Sequence, residues 1–267
     1  PGDAIDWEIK TRLADTSHDV YPLLLEVAGR RRINARDTYI RALDDHNPAI
    51  RRAALLALGE TVGLDELEVL ISQLLAPAHE DDATAAREAL HAASIRMPDR
   101  EACAAQLASA VAHAPAAGTK IALLETLAAV GGSQALASVA EAAAGEDLEL
   151  QDAATRLLGK WMTPDAAPVL LELATNTTSK KYHVRAVRGY IRIARQFNMA
   201  RRRRAEMCRK ALEVARRPAE QKMALEVLVR YPCNEALEVA QYAVKKAGVQ
   251  AEAAEAVDVI TRQLEGG

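Results

Sequence analysis

Half of the 267 residues are apolar, enough for a large core, but only 3% are aromatic and a single Phe is present. Alanine and leucine must supply the burial, which favours close helix–helix packing over sheets of β-branched and aromatic residues. The net charge of −3 conceals an asymmetry: residues 180–230 hold 16 Lys+Arg against 4 Asp+Glu, a net of +12, whereas 53–155 hold 4 against 16, a net of −12.

No run of 18 apolar residues is present and no signal-peptide pattern opens the chain, so membrane insertion is not expected. Cys103, Cys208 and Cys233 are odd in number and far apart, which suits thiols on helix faces and not a disulfide framework. The chain begins at Pro1-Gly2-Asp3 and ends at Glu265-Gly266-Gly267. These abrupt ends are expected of a domain cut from a longer protein.

In chain order, residues 1–17 read as an N-terminal arm or lead-in helix carrying Trp7. Asp19–Arg32 and Asn34–Asp45 form a first helical pair. Asn47-Pro48 supplies an N-cap and a proline at the first helical position, opening AIRRAALLALGET. A turn around Gly63 leads to LDELEVLISQLL at 64–75. The pairing then recurs: 81–97 with 99–114, 118–132 with 133–147, and 148–162 with a helix opened by Thr163-Pro164-Asp165. Next come 180–197 with 200–216 and 219–231 with 234–248, then a closing helix from about Gln250 to Leu264.

The small residues that end the first helix of each unit, Gly59, Ser94, Gly131, Gly159 and Ala194, lie 35, 37, 28 and 35 residues apart. A helix–turn–helix unit at this period cannot bury its apolar faces alone and must stack on its neighbours. The predicted fold is all-α: a right-handed α-solenoid of about six to seven stacked antiparallel helix pairs. It is expected to be one domain over 1–267, with acidic to neutral repeats at 18–179, basic repeats at 180–230 and capping helices at 231–267.

NPAIRRAALLALGET with LDELEVLISQLL, and LQDAATRLLGKW with PDAAPVLLELA, resemble HEAT repeats of the short bacterial kind found in phycobilisome-lyase-like proteins. The shared parts are the cap-and-proline start, the arginine near it and the A-x-x-L-x-x-(L)-G run. More narrowly, KYHVRAVRGYIRIARQF, AEMCRKALEVARR and ALEVLVRYPCNEALEVA are similar to C-terminal helical-repeat regions of large multidomain planctomycete-type proteins. Those regions accompany sugar-active or cytochrome-like domains. The resemblance implies an accessory or interaction role in an exported or periplasmic protein; without it, a cytoplasmic chain is expected.

No catalytic, cofactor or metal constellation emerges. The histidines His18, His46, His79, His91, His113 and His183 include no pair at i+3 or i+4 and lie at no zinc-ligand spacing from a cysteine. No phosphate loop, G-x-S-x-G or H-E-x-x-H is present. Glu80-Asp81-Asp82 reads as a helix start set against the positive end of the helix that follows. Trp161 reads as a packed residue at the end of a repeat.

The candidate site is a basic stripe. Val184, Val187, Ile191 and Ala194 mark one apolar face of a helix, and Arg185, Arg188, Arg192 and Arg195 follow one residue later, joined by Arg201 and Arg202. In one reading these are solvated or ion-paired flanks of the core. In the other they bind an anion, because planar guanidiniums in a row suit carboxylate or phosphate. Tyr182 and Tyr190 among them are either contact residues of a protein partner or half-buried helix residues. The leading expectation is a non-catalytic interaction or scaffold module for an acidic protein partner. One alternative is nucleic-acid binding through phosphates. A base-excising enzyme, known among HEAT-like proteins, would need Trp7, Trp161 and an acid on one surface. Another alternative is the accessory domain that the resemblance implies.

Overall fold

A computed structural model describes residues 2–15 and 19–266. Residues 1, 16 and 17 of the expected lead-in, His18 and Gly267 lie outside the described residues. Among the described residues there are sixteen α-helices and no strand. The fold divides into two compact units, Pro1–Ser138 and Val139–Gly267.

The first unit contains α1 (Gly2–Arg12), α2 (Tyr21–Arg30), α3 (Arg36–Ala42), α4 (Pro48–Thr61), α5 (Leu67–Leu75), α6 (Ala83–Arg96), α7 (Arg100–His113) and α8 (Ala117–Val130). The boundary falls within α9 (Ser133–Ala144). The second unit continues with α10 (Leu148–Gly159), α11 (Ala167–Asn176), α12 (Lys180–Gln196), α13 (Arg201–Val214), α14 (Pro218–Arg230), α15 (Asn234–Ala243) and α16 (Gln250–Glu265).

Within each unit, helices pack on neighbours in the chain, as α3 does on α4, α7 on α8, α11 on α12 and α15 on α16, and on helices two places along the chain. In the first unit α2 packs on α4, α4 on α6, α6 on α8, and α5 on α7. In the second, α10 packs on α12, α12 on α14, α14 on α16, while α11 packs on α13 and α13 on α15. This alternation is stacking of helical hairpins, with the first helices forming one layer and the second helices another.

The caps follow the sequence. Asn47 Oδ1 accepts the Ala49 N–H at 2.9 Å ahead of Pro48, Asp99 Oδ1 accepts from Ala102 at 2.9 Å, and Asp147 Oδ1 accepts from Glu149 at 3.0 Å. Thr163 departs from expectation. Its hydroxyl accepts the Trp161 indole N–H at 3.1 Å, and a 3₁₀ turn, Pro164–Ala166, precedes α11. Similar turns at Leu64–Glu66 and Glu80–Asp82 precede α5 and α6. Buried Asp82 receives Arg51 Nε at 2.7 Å, so the acidic start of α6 is held by a neighbouring helix.

Close approach explains the small residues. A Cβ on Gly59 would sit 2.8 Å from Ala89 Cα, and one on Gly29 would sit 2.6 Å from Ala57 Cα. Gly131 has a different role. It ends α8 at φ 72°, in the left-handed region that glycine tolerates.

Candidate anion-binding face of the second unit

The second unit concentrates the basic residues around α12. That helix has a strongly apolar face, with Ala186, Val187, Tyr190, Ile191, Ile193 and Ala194 all buried. Three of the arginines one residue along, Arg185, Arg188 and Arg192, lie at the edge of this face, where they reach backbone carbonyls and carboxylates of adjacent repeats.

Arg185 donates to the Asp152 carboxylate at 2.8 Å, the Asp152 carbonyl at 3.1 Å and the Thr155 hydroxyl at 3.0 Å. Arg188 Nε donates to buried Glu220 at 2.9 Å, and Arg217 grips the same carboxylate at 2.8 and 2.7 Å. Arg192 donates to the Gly159 carbonyl at 3.1 Å, to the Trp161 carbonyl and to Gln196. These three arginines therefore hold repeats together. Burial, with the charge of Arg195 beside it, lowers the pKa of the Arg192 guanidinium.

The carboxylates respond in kind. The hydrogen bond from Lys181, helped by Arg185, holds Asp152 below its ordinary pKa. Burial alone would raise Glu220, yet hydrogen bonds and charge from Arg217 and Arg188 carry it below the ordinary value.

Arg195, by contrast, is exposed and its side chain meets no partner among the described residues. Arg201 donates to the Pro232 carbonyl at 2.9 Å but remains exposed, and Arg202 stands 4.0 Å from Glu235 with most of its side chain in solvent. Tyr182 and Tyr190 are interior residues, at 8% and 4% exposure. Tyr182 O–H points to the Leu148 carbonyl at 3.5 Å, and burial pushes the Tyr190 phenol up to about 12. Of the eight candidate residues, Arg195, Arg201 and Arg202 stand open to solvent, Arg188 is half-exposed while bound to Glu220, and both tyrosines are packed.

Sequence reasoning missed the concave part of this face. A cavity of about 740 Å³ opens at the start of α12, lined by Thr178, Lys180, Lys181, His183, Val184, Arg185, Arg216 and Arg217. Five of these carry positive charge. Two carboxylates touch them: Asp152, contacting Lys181 and Arg185, and Glu220, contacting Arg217. Three of the five charges remain in excess. Lys180 is exposed with no partner among the described residues, and Arg216 reaches only the Thr177 carbonyl, at 3.3 Å. The adjacent Lys180-Lys181 and Arg216-Arg217 dipeptides were the available signal, but nothing local shows that loops 36 residues apart meet.

A smaller cavity in the first unit, about 220 Å³, is lined by Arg32, Arg36 and Arg96. There Arg36 and Arg32 face Glu66 and Glu60, and Arg96 donates to the Gly59 carbonyl at 2.8 Å. Those charges are close to balanced. Among the described residues no three His, Cys, Asp or Glu side chains converge as a metal site, and no helix is long and apolar enough to cross a membrane.

Helical hairpins stacked with a period near 35 residues, opened by Asn47-Pro48 and tied by an arginine close to that cap, decide the architecture. The fold is HEAT-like. No protein-family model and no curated protein matches the chain. Among solved structures, an archaeal HEAT-like repeats protein from Thermococcus onnurineus NA1 is 15% identical over 96% of this chain and 97% of its own, with a TM-score of 0.44. The CpcE–CpcF complex of phycocyanin lyase from Nostoc sp. PCC7120 is 18% identical over 88% and 92%, with a TM-score of 0.41. Human deoxyhypusine hydroxylase in complex with glycerol is 15% identical over 96% and 84%, with a TM-score of 0.29. Scores this low leave the HEAT-like assignment on the helix packing. Nothing in these likenesses bears on the multidomain resemblance.

Trp161 is 4% exposed and cannot stack on an extruded base. The base-excising arrangement therefore lacks one of its three parts.

Proposed function

We propose that this chain is a non-catalytic interaction module whose second unit holds an acidic segment of a protein partner at the basic face around the start of α12. The observation that carries this reading is the five-cation cavity with three uncompensated charges. Ion pairs of the stacked repeats consume Arg185 and Arg188, so the free cations there are the ones a partner would meet. The mixed aliphatic and cationic lining, Val184 beside lysine and arginine stems, suits a peptide better than a bare polyanion.

The test is titration of the full chain with labelled polyglutamate, and with duplex and single-stranded DNA and RNA, across a salt series. Polyglutamate binding that weakens when exposed Lys180, Arg195 and Arg216 become Gln is expected. Nucleic acid bound more tightly than polyglutamate, with a steep salt dependence, would overturn the protein-partner reading in favour of phosphate-backbone binding. Failure of both polyanions to bind at low salt would leave the basic face without a ligand role.

A further inference from the structure

We infer that the cavity at the N-terminus of α12 is a phosphomonoester pocket; this deepens the acidic-partner reading and rests on it for the site. The first turn of α12 contains Lys180 and Lys181 and no acid. That is the reverse of the usual arrangement, because the positive end of a helix favours carboxylates and repels cations. The chain concentrates positive charge on the pole that already attracts anions. The first N–H groups of a helix have no intrahelical acceptor, and Ser179 Oγ covers that of Tyr182, at 3.5 Å.

His183 supplies an independent observation. It is 3% exposed and lines the cavity. Its Nδ1 lies 2.8 Å from the Ala174 carbonyl, which can only accept, so Nδ1 carries a proton. The opposite nitrogen, Nε2, is buried and meets no hydrogen-bond partner in the protein. An unpaired buried polar atom is costly, and a ligand that satisfies it recovers that cost. A phosphomonoester suits both of its protonation states: its P–OH can donate to neutral Nε2, and its oxygens can accept from a protonated ring.

Charge and size narrow the class. Three excess cations match a dianion better than a single carboxylate. The planar fork of Arg216, with Lys180 and Lys181 lining the same cavity, supplies donors of the kind phosphate oxygens use. A cavity of about 740 Å³ exceeds what inorganic phosphate fills, and Val184 with the Thr178 methyl offers an apolar wall for the organic part. The phosphate could belong to a free ester or to a phosphorylated side chain of the partner.

The experiment uses the full chain with four probes: a labelled alanine–glycine peptide carrying one phosphoserine, its serine and glutamate versions, and free O-phosphoserine. Affinity is read by fluorescence polarisation and competition, and the histidine ring signals are followed by NMR. The phosphoserine peptide should bind about tenfold or more tightly than the glutamate peptide, as charge-assisted contacts from several donors imply. Lys180→Gln with Arg216→Gln should remove that preference. Arg203→Gln, an exposed cation outside the cavity, should leave it within about twofold, as surface substitutions away from a site do. His183 ring signals should move on binding while those of His46 and His113 stay.

Competition by free O-phosphoserine at comparable concentration points to a free ester as the ligand, and its failure points to the phosphorylated partner; either supports the pocket. Equal binding of phosphoserine and glutamate peptides overturns the phosphomonoester assignment and leaves the acidic-partner reading standing. Binding of polyglutamate with no binding of either phosphorylated probe has the same meaning. A phosphoserine preference unaffected by the Lys180 and Arg216 changes, or an unmoved His183, overturns the pocket.

Discussion

Changing Arg192 to Gln separates an arginine that holds repeats together from one that meets a partner. Arg192 reaches back one repeat to the carbonyls of Gly159 and Trp161, at the C-terminal end of α10. Hydrogen bonds from a charged donor contribute about 1.5–3 kcal/mol each, and an exposed terminus recovers part of the loss through water. For two such bonds on a part-buried side chain, the expected destabilisation is about 2–3 kcal/mol in all. At roughly 2–4 °C per kcal/mol for a chain of this size, the unfolding midpoint should fall by about 5–10 °C. Circular dichroism on heating, with urea unfolding beside it, reads both quantities. Arg195→Gln, one turn away and open to solvent, should change stability by less than about 0.5 kcal/mol. A stable Arg192→Gln chain that has lost its affinity for polyglutamate would refute this reasoning, because the residue would then be a binding group.

Arg51→Ala should be more damaging, at about 3–5 kcal/mol, since it strands the Asp82 carboxylate in the interior; urea titration of the full chain measures it. Gly59→Ala places a methyl against the Ala89 backbone and should cost about 1–3 kcal/mol by the same titration. In native protein at pH 8, a thiol reagent should modify half-exposed Cys233 first, because Cys103 is buried and burial pushes the Cys208 thiol up to about 12. Glu220 and Asp152 have lowered folded-state pKa values. Their contribution is therefore present at neutral pH and lost as acid takes the pH down through those folded values, below the ordinary 4.5 and 3.8. Midpoints measured across that range should fall less steeply in an Arg188→Gln, Arg217→Gln chain, which lacks the partners of Glu220.

The helices were legible because their signals are local. Asn47-Pro48 announces a start within four residues, and the apolar face of α12 follows from its own spacing. The function of the arginines was not legible in the same way. Arg185, Arg188 and Arg192 share one helix and a near-regular spacing, yet they meet Asp152, Glu220 and the Gly159 carbonyl, all more than 30 residues away. Only the stacking register decides that these are partners. The four acids of 180–230 suggested unpaired cations; Glu220 serves two arginines at once, and Asp152 lies outside that window altogether. The aligned small residues were informative about spacing but mixed two causes. Gly59 accommodates a neighbouring backbone, while Gly131 supplies a turn. The cavity stayed hidden because it joins the start of α12 to the connection between α13 and α14.

The reach of one repeat into the next recurs. Arg96 donates to the Gly59 carbonyl, Arg192 to that of Gly159, Tyr231 to that of Arg195 and Lys246 to that of Leu212, each from 33 to 37 residues downstream. A helix in this fold is thus finished by a side chain that the chain delivers only after another full hairpin. During synthesis α4, α10, α12 and α13 emerge with ends that close when the following repeat docks. Cutting the chain at a repeat boundary exposes an unfinished terminus on the piece that remains. Within each unit, melting is expected to run as a zipper: loss of one hairpin loosens the end of the one before it.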